Sequence, residues 1–173
     1  VEEEETKVAL LYLLSIFIER MHRLILPYVP TLMHYVPSLW NTSADEQMIR
    51  NAIISVLTRL VDTMGEESTS IHHFILPLIR YTTDVDNEDH LYYIEDGLQL
   101  WQSTMHQAPH CTDAILELFT NIPKTLNEGF EHVITTLKIT ESYMLLCREQ
   151  FLNRFTPLLT QYCLGIVGEV KDK

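Results

Sequence analysis

The sequence predicts an all-α protein, a solenoid of about four stacked antiparallel helix pairs. Hydrophobic residues make up 46% of its 173 residues, enough to bury a substantial core. Glycine occurs only 5 times, which disfavours a sheet built on many tight turns. Apolar side chains recur at helical spacing along most of the chain, in segments separated by proline, glycine and acidic residues.

The first predicted pair covers residues 5–41. Its first helix spans residues 6–22 and carries a continuous apolar stripe, made of Ala9, Leu10, Leu13, Leu14, Phe17 and Met21. Its second helix spans residues 30–40. Pro27 and Pro30 stand where this helix would begin, since proline is tolerated in the first turn of a helix and not in its interior.

The second predicted pair covers residues 43–83. Ser43 and Glu46 have the spacing of a capping box, in which each side chain satisfies a free backbone N–H at the start of a helix. Gly65 ends this helix because glycine readily adopts the left-handed conformation. A shorter helix over residues 70–81 completes the pair.

The third predicted pair covers residues 87–122. Its first helix runs to about residue 108, where Pro109 ends it, and it carries Leu91, Ile94, Leu98 and Trp101 at helical spacing. A short partner helix is predicted over residues 112–121.

The fourth predicted pair covers residues 126–171. Asn127 is predicted to cap a helix that runs to about Cys147, and a last helix spans about residues 149–170.

The long helices recur at a regular interval. Alignment on Ala52, Gly97 and Lys138 gives offsets of 45 and 41 residues, the period of HEAT or armadillo helix pairs. We interpret residues 1–173 as a single segment of such repeats within a longer protein. Because each pair exposes an apolar face that only a neighbouring pair covers, the stretch from Leu10 to Phe17 and the last helix are expected to carry uncovered apolar surface.

An excess of acidic residues determines the electrostatics. The formal net charge is −12, which repels nucleic-acid phosphates and anionic lipid, so neither nucleic acid nor a membrane is expected as a partner. No Lys or Arg occurs between Arg80 and Lys124. Within this interval we predict a docking surface for a basic protein partner, formed by Asp84, Asp86, Glu88, Asp89, Glu95 and Asp96. The alternative is that these acids cap a helix and keep an apolar array soluble.

Other patterns fall short of a catalytic or metal site. The run from Asp84 to Glu95 has oxygen ligands at EF-hand positions 1, 3, 5 and 12, but Asp89 stands where the loop needs glycine. The histidines at positions 72, 73, 106 and 110 lack the spacing of zinc ligands and are interpreted as surface or loop residues. Nucleophile and phosphate-loop motifs are absent from the sequence, so no cofactor and no enzymatic activity are predicted.

The three cysteines, Cys111, Cys147 and Cys163, fit neither a disulfide framework nor a metal pair, which indicates a reducing compartment. Cys147 and Cys163 are interpreted as inert small apolar residues of helices. Trp40 and Trp101 are predicted to lie in the core between helices, with a pocket for a partner's aromatic side chains as the alternative.

Three stretches carry a family resemblance. LPYVPTLMHYVPSLW (residues 26–40), ILPLIRYTTDV (residues 75–85) and LYYIEDGLQLWQSTM (residues 91–105) resemble later HEAT repeats of the importin-β superfamily, the karyopherins. The resemblance implies a shuttling receptor, present in nucleus and cytoplasm, that carries protein cargo, releases it on binding RanGTP and touches nucleoporins. It also implies that Ran binds chiefly to N-terminal repeats, which this chain does not include. The rival interpretations are a HEAT scaffold of another kind, such as an exportin or a phosphatase scaffolding subunit, and a helical enzyme.

Overall fold

The structure, a computed structural model, describes residues 2–125 and 129–171. These residues form helices and connecting turns, and no strand occurs among them. The α-helices are α1 (Glu2–Met21), α2 (Val29–Thr42), α3 (Gln47–Met64), α4 (His72–Thr83), α5 (His90–Gln107), α6 (Asp113–Leu118), α7 (Ile122–Thr125) and α8 (Val133–Lys171). Short 3-10 segments join α1 to α2, α3 to α4 and α6 to α7. The prediction of an all-α fold is confirmed.

Most helix ends lie where local sequence signals put them. Gly65 ends α3 with a φ of 61°, in the region that favours glycine. Pro109 follows the end of α5 by two residues. The side chain of Thr112 caps α6, accepting a hydrogen bond from the Ile115 N–H at 3.3 Å.

The predicted capping box at the start of α3 is wrong. Neither Ser43 nor Glu46 makes a side-chain capping bond there, and α3 begins at Gln47. Ser43 is instead the residue that ends α2, where its N–H donates to the Leu39 carbonyl and its side chain is buried. Packing of the α2–α3 corner therefore overrides the local motif. The cap predicted at Asn127 lies outside the described residues.

Alternate helices form one continuous layer. Helix α1 packs on α3, α3 on α5, and α5 on α8, while α4 packs on the other side of α5 and against α6. Helices α3, α5 and α8 begin at residues 47, 90 and 133, a constant interval of 43 residues. This interval lies in the range of about 40 to 47 residues that characterises HEAT and armadillo pairs. The arrangement is that of a helical solenoid.

Helix α8 consists of two helical segments separated at Cys147, whose backbone angles of −149° and 44° are not helical. The boundary predicted between residues 147 and 149 is therefore confirmed. Pro157 lies inside the second segment, downstream of the break.

The two tryptophans lie in the core, as predicted. Trp101 is completely buried, and its indole N–H donates to the Tyr143 hydroxyl at 3.2 Å. That hydroxyl in turn donates to the Ile115 carbonyl at 2.6 Å, which links α5, α8 and α6. Phe119 meets Phe151 edge-on, with ring centroids 4.6 Å apart, so the second segment of α8 packs on the same aromatic cluster.

Arg50 joins the first two helix pairs. It is only 8% exposed, its guanidinium donates twice to the Trp40 carbonyl at the end of α2, and it lies 4.4 Å from the Trp40 ring. A third bond, of 3.3 Å, runs to the Tyr81 hydroxyl, which donates to Asp89 at 2.9 Å. The buried Arg50 guanidinium therefore satisfies a carbonyl near the C-terminus of α2, and the Tyr81 hydroxyl links it to the Asp89 carboxylate.

No helix in the described ranges is both long enough and apolar enough to cross a membrane.

Candidate protein-interaction surface

The fold divides the six predicted docking carboxylates into groups with different environments. Asp84 ends α4 and Asp86 lies in the following loop. Lys124, distant in sequence, lies 3.5 Å from an Asp84 oxygen and also binds the Asp86 carboxylate. The hydrogen bond to Asp86 raises the pKa of Lys124, so the lysine stays charged. One lysine charge therefore offsets half of the negative charge of these two acids within the chain.

Asp89 also has an internal role. Its carboxylate accepts the Tyr81 hydroxyl at 2.9 Å, and its N–H donates to the Asn87 side chain at 3.2 Å. The Asn87 amide donates to the Tyr81 carbonyl at 3.1 Å, which closes the loop onto α4. The oxygens of the EF-hand-like run thus stabilise its own turns. In the described part of the chain, no group of three or more His, Cys, Asp or Glu is arranged to hold a metal ion.

Asp96 lies on α5 facing α3 and is half-buried. It lines a depression of about 80 Å³ together with Ser55, Thr58, Arg59 and Gln99. Burial, followed by the neighbouring Glu95 charge, raises the pKa of Asp96 above its ordinary value. Its carboxylate is poorly placed to meet a basic partner.

Glu88 and Glu95 are the two predicted docking residues that remain exposed and make no ion pair among the described residues. Between them stand Leu91 and Tyr92, which are 68% and 58% exposed. Glu95 follows these residues by one helical turn, so the three side chains share one side of α5. Leu91 has helical spacing with the buried Ile94, Leu98 and Trp101, yet its own side chain is exposed.

Helix α3 adds an apolar side chain to this surface. The Asn51 amide donates to the Tyr92 carbonyl at 3.0 Å, which fixes the register of α3 against α5. Met48 precedes Asn51 by one turn and is 57% exposed, so it lies beside the first turn of α5. We call Met48, Glu88, Leu91, Tyr92 and Glu95 the acidic–apolar ridge. Sequence reasoning found its acids and missed its apolar members.

A second apolar surface lies on the first helix pair. Leu10, Leu13 and Phe17 are 60%, 46% and 52% exposed, as predicted for an uncovered face. The buried face of α1 consists instead of Val8, Leu11 and Ile18. A groove of about 430 Å³ adjoins the exposed face and is lined by Leu14, Phe17, Met21, Ile25, Tyr28, Thr31 and Leu32. The last helix also exposes apolar side chains, at Leu164 and Val167.

The histidines differ in their environments. His72 is buried, which corrects the prediction that it is a surface or loop residue. Burial, and then repulsion from His110, lowers the pKa of His72. His73 is exposed and contacts the Ser70 carbonyl at 3.2 Å. His106 and His110 are exposed.

The cysteines are also unlike one another. Cys163 is exposed, whereas Cys111 and Cys147 are half-buried and lie together. Burial, followed by the hydrogen bond to Cys147, raises the pKa of Cys111 well above its ordinary value. Cys111 therefore remains a thiol at neutral pH.

Comparison with known proteins identifies the relatives of this chain. It is 36% identical to importin-11 of Homo sapiens over 170 residues, which are 98% of this chain and 17% of that protein. Importin beta-like protein kap113 of Schizosaccharomyces pombe is 18% identical over 172 residues, and KAP120 of Saccharomyces cerevisiae is 25% identical over 122. The chain thus spans about a sixth of the human relative. No solved structure matches it.

A family model described as "Importin-11-like, TPR repeats" matches residues 51–173. Repeats of the TPR type have a period of about 34 residues, whereas the long helices here begin every 43 residues. The helix pairs are therefore longer than TPR units, although they stack in the same antiparallel manner. On this match, the chain belongs to the importin-11-like family of the importin-β superfamily.

Proposed function

We propose that this chain is a cargo-facing segment of a nuclear import receptor, and that its acidic–apolar ridge docks a basic segment of protein cargo. The four helix pairs, at residues 5–41, 43–83, 87–122 and 126–171, are consecutive repeats of the full-length receptor. In that receptor, RanGTP binding at other repeats releases the cargo, and contacts with nucleoporins allow shuttling between nucleus and cytoplasm. The segment works by non-covalent contact and performs no catalysis.

The ridge is the observation that carries the docking proposal. Two unpaired carboxylates, Glu88 and Glu95, flank exposed apolar side chains from two successive repeats. A cationic segment that also carries apolar residues complements both features. The carboxylates select the partner by sign and raise its association rate, while the apolar side chains are buried on contact. Asp84, Asp86 and Asp89 support the rival, structural role of acids, because each is engaged within the chain.

Site-specific photocrosslinking tests the proposal in the full-length receptor. A benzophenone amino acid replaces Tyr92, and the matched control replaces Tyr35, an exposed tyrosine on α2. With nuclear extract, the Tyr92 probe is expected to capture a protein with a basic segment, and RanGTP is expected to abolish the crosslink. An equal yield from both positions, or no effect of RanGTP, would contradict the proposal. An exportin would show the opposite dependence on RanGTP, and a phosphatase scaffold none.

Charge reversal tests the ridge directly with the captured cargo. We expect Glu88→Lys/Glu95→Lys to slow association and to flatten its salt dependence, at unchanged helicity. The matched control, Asp62→Lys/Glu66→Lys, makes the same charge change at two exposed acids outside the ridge. Association kinetics that respond equally to both double variants would indicate only the overall charge of the chain.

A further inference from the structure

Two cysteines that are 36 positions apart in the sequence meet at one open cavity. Cys111 lies in the connection between α5 and α6, and Cys147 lies at the break within α8. Both line a cavity of about 460 Å³, together with His110 and Arg148. Cys147 is close enough to Cys111 to help raise its pKa, and both residues are half-buried, so the pair is reachable by a small molecule.

The surroundings give the two thiols different roles. Cys111 keeps its proton at neutral pH, because burial raises its pKa, and its thiol also points to the Thr112 carbonyl at 3.7 Å. Cys147 is the residue at which the α-helix is interrupted, so its backbone is released from the regular helical ladder. Cys111 is therefore the less reactive thiol, so the first attack falls to Cys147, and Cys111 is the neighbour that resolves the product.

We propose that Cys111 and Cys147 form a reversible intramolecular disulfide by exchange with a low-molecular-weight disulfide, such as oxidised glutathione. The Cys147 thiolate attacks one sulfur of the reagent, forming a mixed disulfide and releasing one glutathione thiolate. The Cys111 thiol then loses its proton to solvent and attacks the Cys147 sulfur, releasing the second glutathione. The protein is oxidised by two electrons, and one oxidised glutathione is reduced to two thiols.

The bond would add a covalent link between elements that are otherwise held by packing, by the Tyr143–Ile115 hydrogen bond and by the Arg154–Glu117 ion pair. It would tie the connection before α6 to the junction of the two α8 segments, and so fix the angle at which the second segment leaves the first. In a reducing compartment such a bond forms transiently, in response to oxidant, as cytosolic disulfides do.

The test uses the chain with Cys163→Ser, which removes the exposed third thiol, and the same chain with Cys111→Ser or Cys147→Ser added. After exposure to oxidised glutathione, the Cys163→Ser chain should lose the mass of two hydrogen atoms and yield a linked peptide pair containing Cys111 and Cys147. The Cys111→Ser double variant should instead carry glutathione on Cys147, and the Cys147→Ser double variant should react much more slowly, because burial keeps the Cys111 thiol protonated. Thermal unfolding of the oxidised Cys163→Ser chain should move to higher temperature and return on reduction, since the bond restricts the unfolded chain.

Stable glutathione adducts on both Cys111 and Cys147 of the Cys163→Ser chain, without an intramolecular bond, would overturn the proposal. So would disulfide-linked dimers as the main product, or no reaction at any glutathione ratio. Circular dichroism of the reduced chains verifies that each variant is folded before oxidation.

Discussion

Gly97 marks the closest approach of two helices, and its replacement tests the packing of the solenoid. A Cβ at this position of α5 would lie 2.3 Å from the Thr82 hydroxyl oxygen and 2.7 Å from the Thr82 Cβ, and 3.3 Å from the Thr83 methyl group. Both threonines are completely buried in α4. Their hydroxyls donate to the Leu78 and Ile79 carbonyls at 2.9 and 2.7 Å, so neither side chain rotates away without losing a bond.

The cost of Gly97→Ala follows from two opposing effects. Overpacking of a well-packed interior costs about 1 to 3 kcal/mol, and the upper end applies because no rotamer moves the Thr82 Cβ. The better helix propensity of alanine returns about 1 kcal/mol. We expect a net loss of about 2 kcal/mol in the free energy of unfolding, which lowers the midpoint of thermal unfolding by about 4 to 8 °C in a chain of this size.

Urea and thermal unfolding, followed by far-ultraviolet circular dichroism, measure this loss. Gly168→Ala is the matched control, since Gly168 lies in α8 with open space where its Cβ would be. The control variant should be as stable as the parent chain or slightly more stable. A Gly97→Ala chain that equals the parent in stability would refute the close packing of α4 on α5.

Three further substitutions test individual charged or titrating groups. Burial raises the pKa of Asp96, so ionisation of this carboxyl lowers the stability of the folded chain above that pKa. Asp96→Asn should therefore raise the free energy of unfolding at pH 7. In urea titrations, this gain should vanish as the pH falls below about 4. Burial and the charge of His110 lower the pKa of His72, so the native state loses stability as the pH falls below about 6.5. His110→Gln should therefore raise the His72 pKa in an NMR titration. An unchanged pKa would exclude an electrostatic interaction between the two histidines. Arg50→Lys keeps the positive charge and loses the paired hydrogen bonds to the Trp40 carbonyl. We expect the free energy of unfolding, measured in urea, to fall by about 2 kcal/mol. A variant as stable as the parent chain would show that the charge alone suffices.

The sequence predicted the helices well because their ends are encoded locally. A glycine at position 65 permits the left-handed backbone and a proline at position 109 restricts the backbone, whatever surrounds them, and both mark observed helix ends. The capping box failed because Ser43 is buried at the end of α2, where packing of the corner decides its contacts.

The buried face of α1 could not be predicted from periodicity. Five consecutive residues, from Leu10 to Leu14, are apolar or aromatic, so more than one stripe fits a helical period. Contact with α3 selects the face that contains Val8, Leu11 and Ile18. Helical spacing alone likewise does not reveal that Leu91 is exposed, since α5 buries Tyr93, Ile94, Gly97, Leu98, Leu100 and Trp101.

The candidate site was only partly predictable, because charge compensation acts across the fold. The sequence shows an acidic interval without bases, yet Lys124 returns to Asp84 and Asp86 from the next repeat. Asp89 is engaged by Tyr81, eight residues earlier, in a loop contact that periodicity does not encode. Proximity of this kind follows from how successive pairs stack.

The energetics of the acidic–apolar ridge set a limit on what the isolated chain can bind. Each exposed ion pair with Glu88 or Glu95 contributes about 0 to 1 kcal/mol. Covering the half-exposed side chains of Met48, Leu91 and Tyr92 adds about 1 kcal/mol each, since complete burial of such a side chain is worth about 1.5 to 3 kcal/mol. The sum, about 3 to 5 kcal/mol, lies at or below the lower end of the loss of translational and rotational freedom on association, which is about 4 to 15 kcal/mol.

We therefore expect the isolated chain to bind the basic cargo segment with a Kd weaker than about 1 mM, which corresponds to −4.1 kcal/mol. The full-length receptor gains affinity by engaging several repeats at once, because each later contact is intramolecular. NMR titration measures the affinity of the isolated chain for the cargo segment, and calorimetry measures the affinity of the full-length receptor. A micromolar Kd for the isolated chain would refute this accounting and direct attention to the apolar groove beside Phe17, where burial of large side chains could supply the missing free energy.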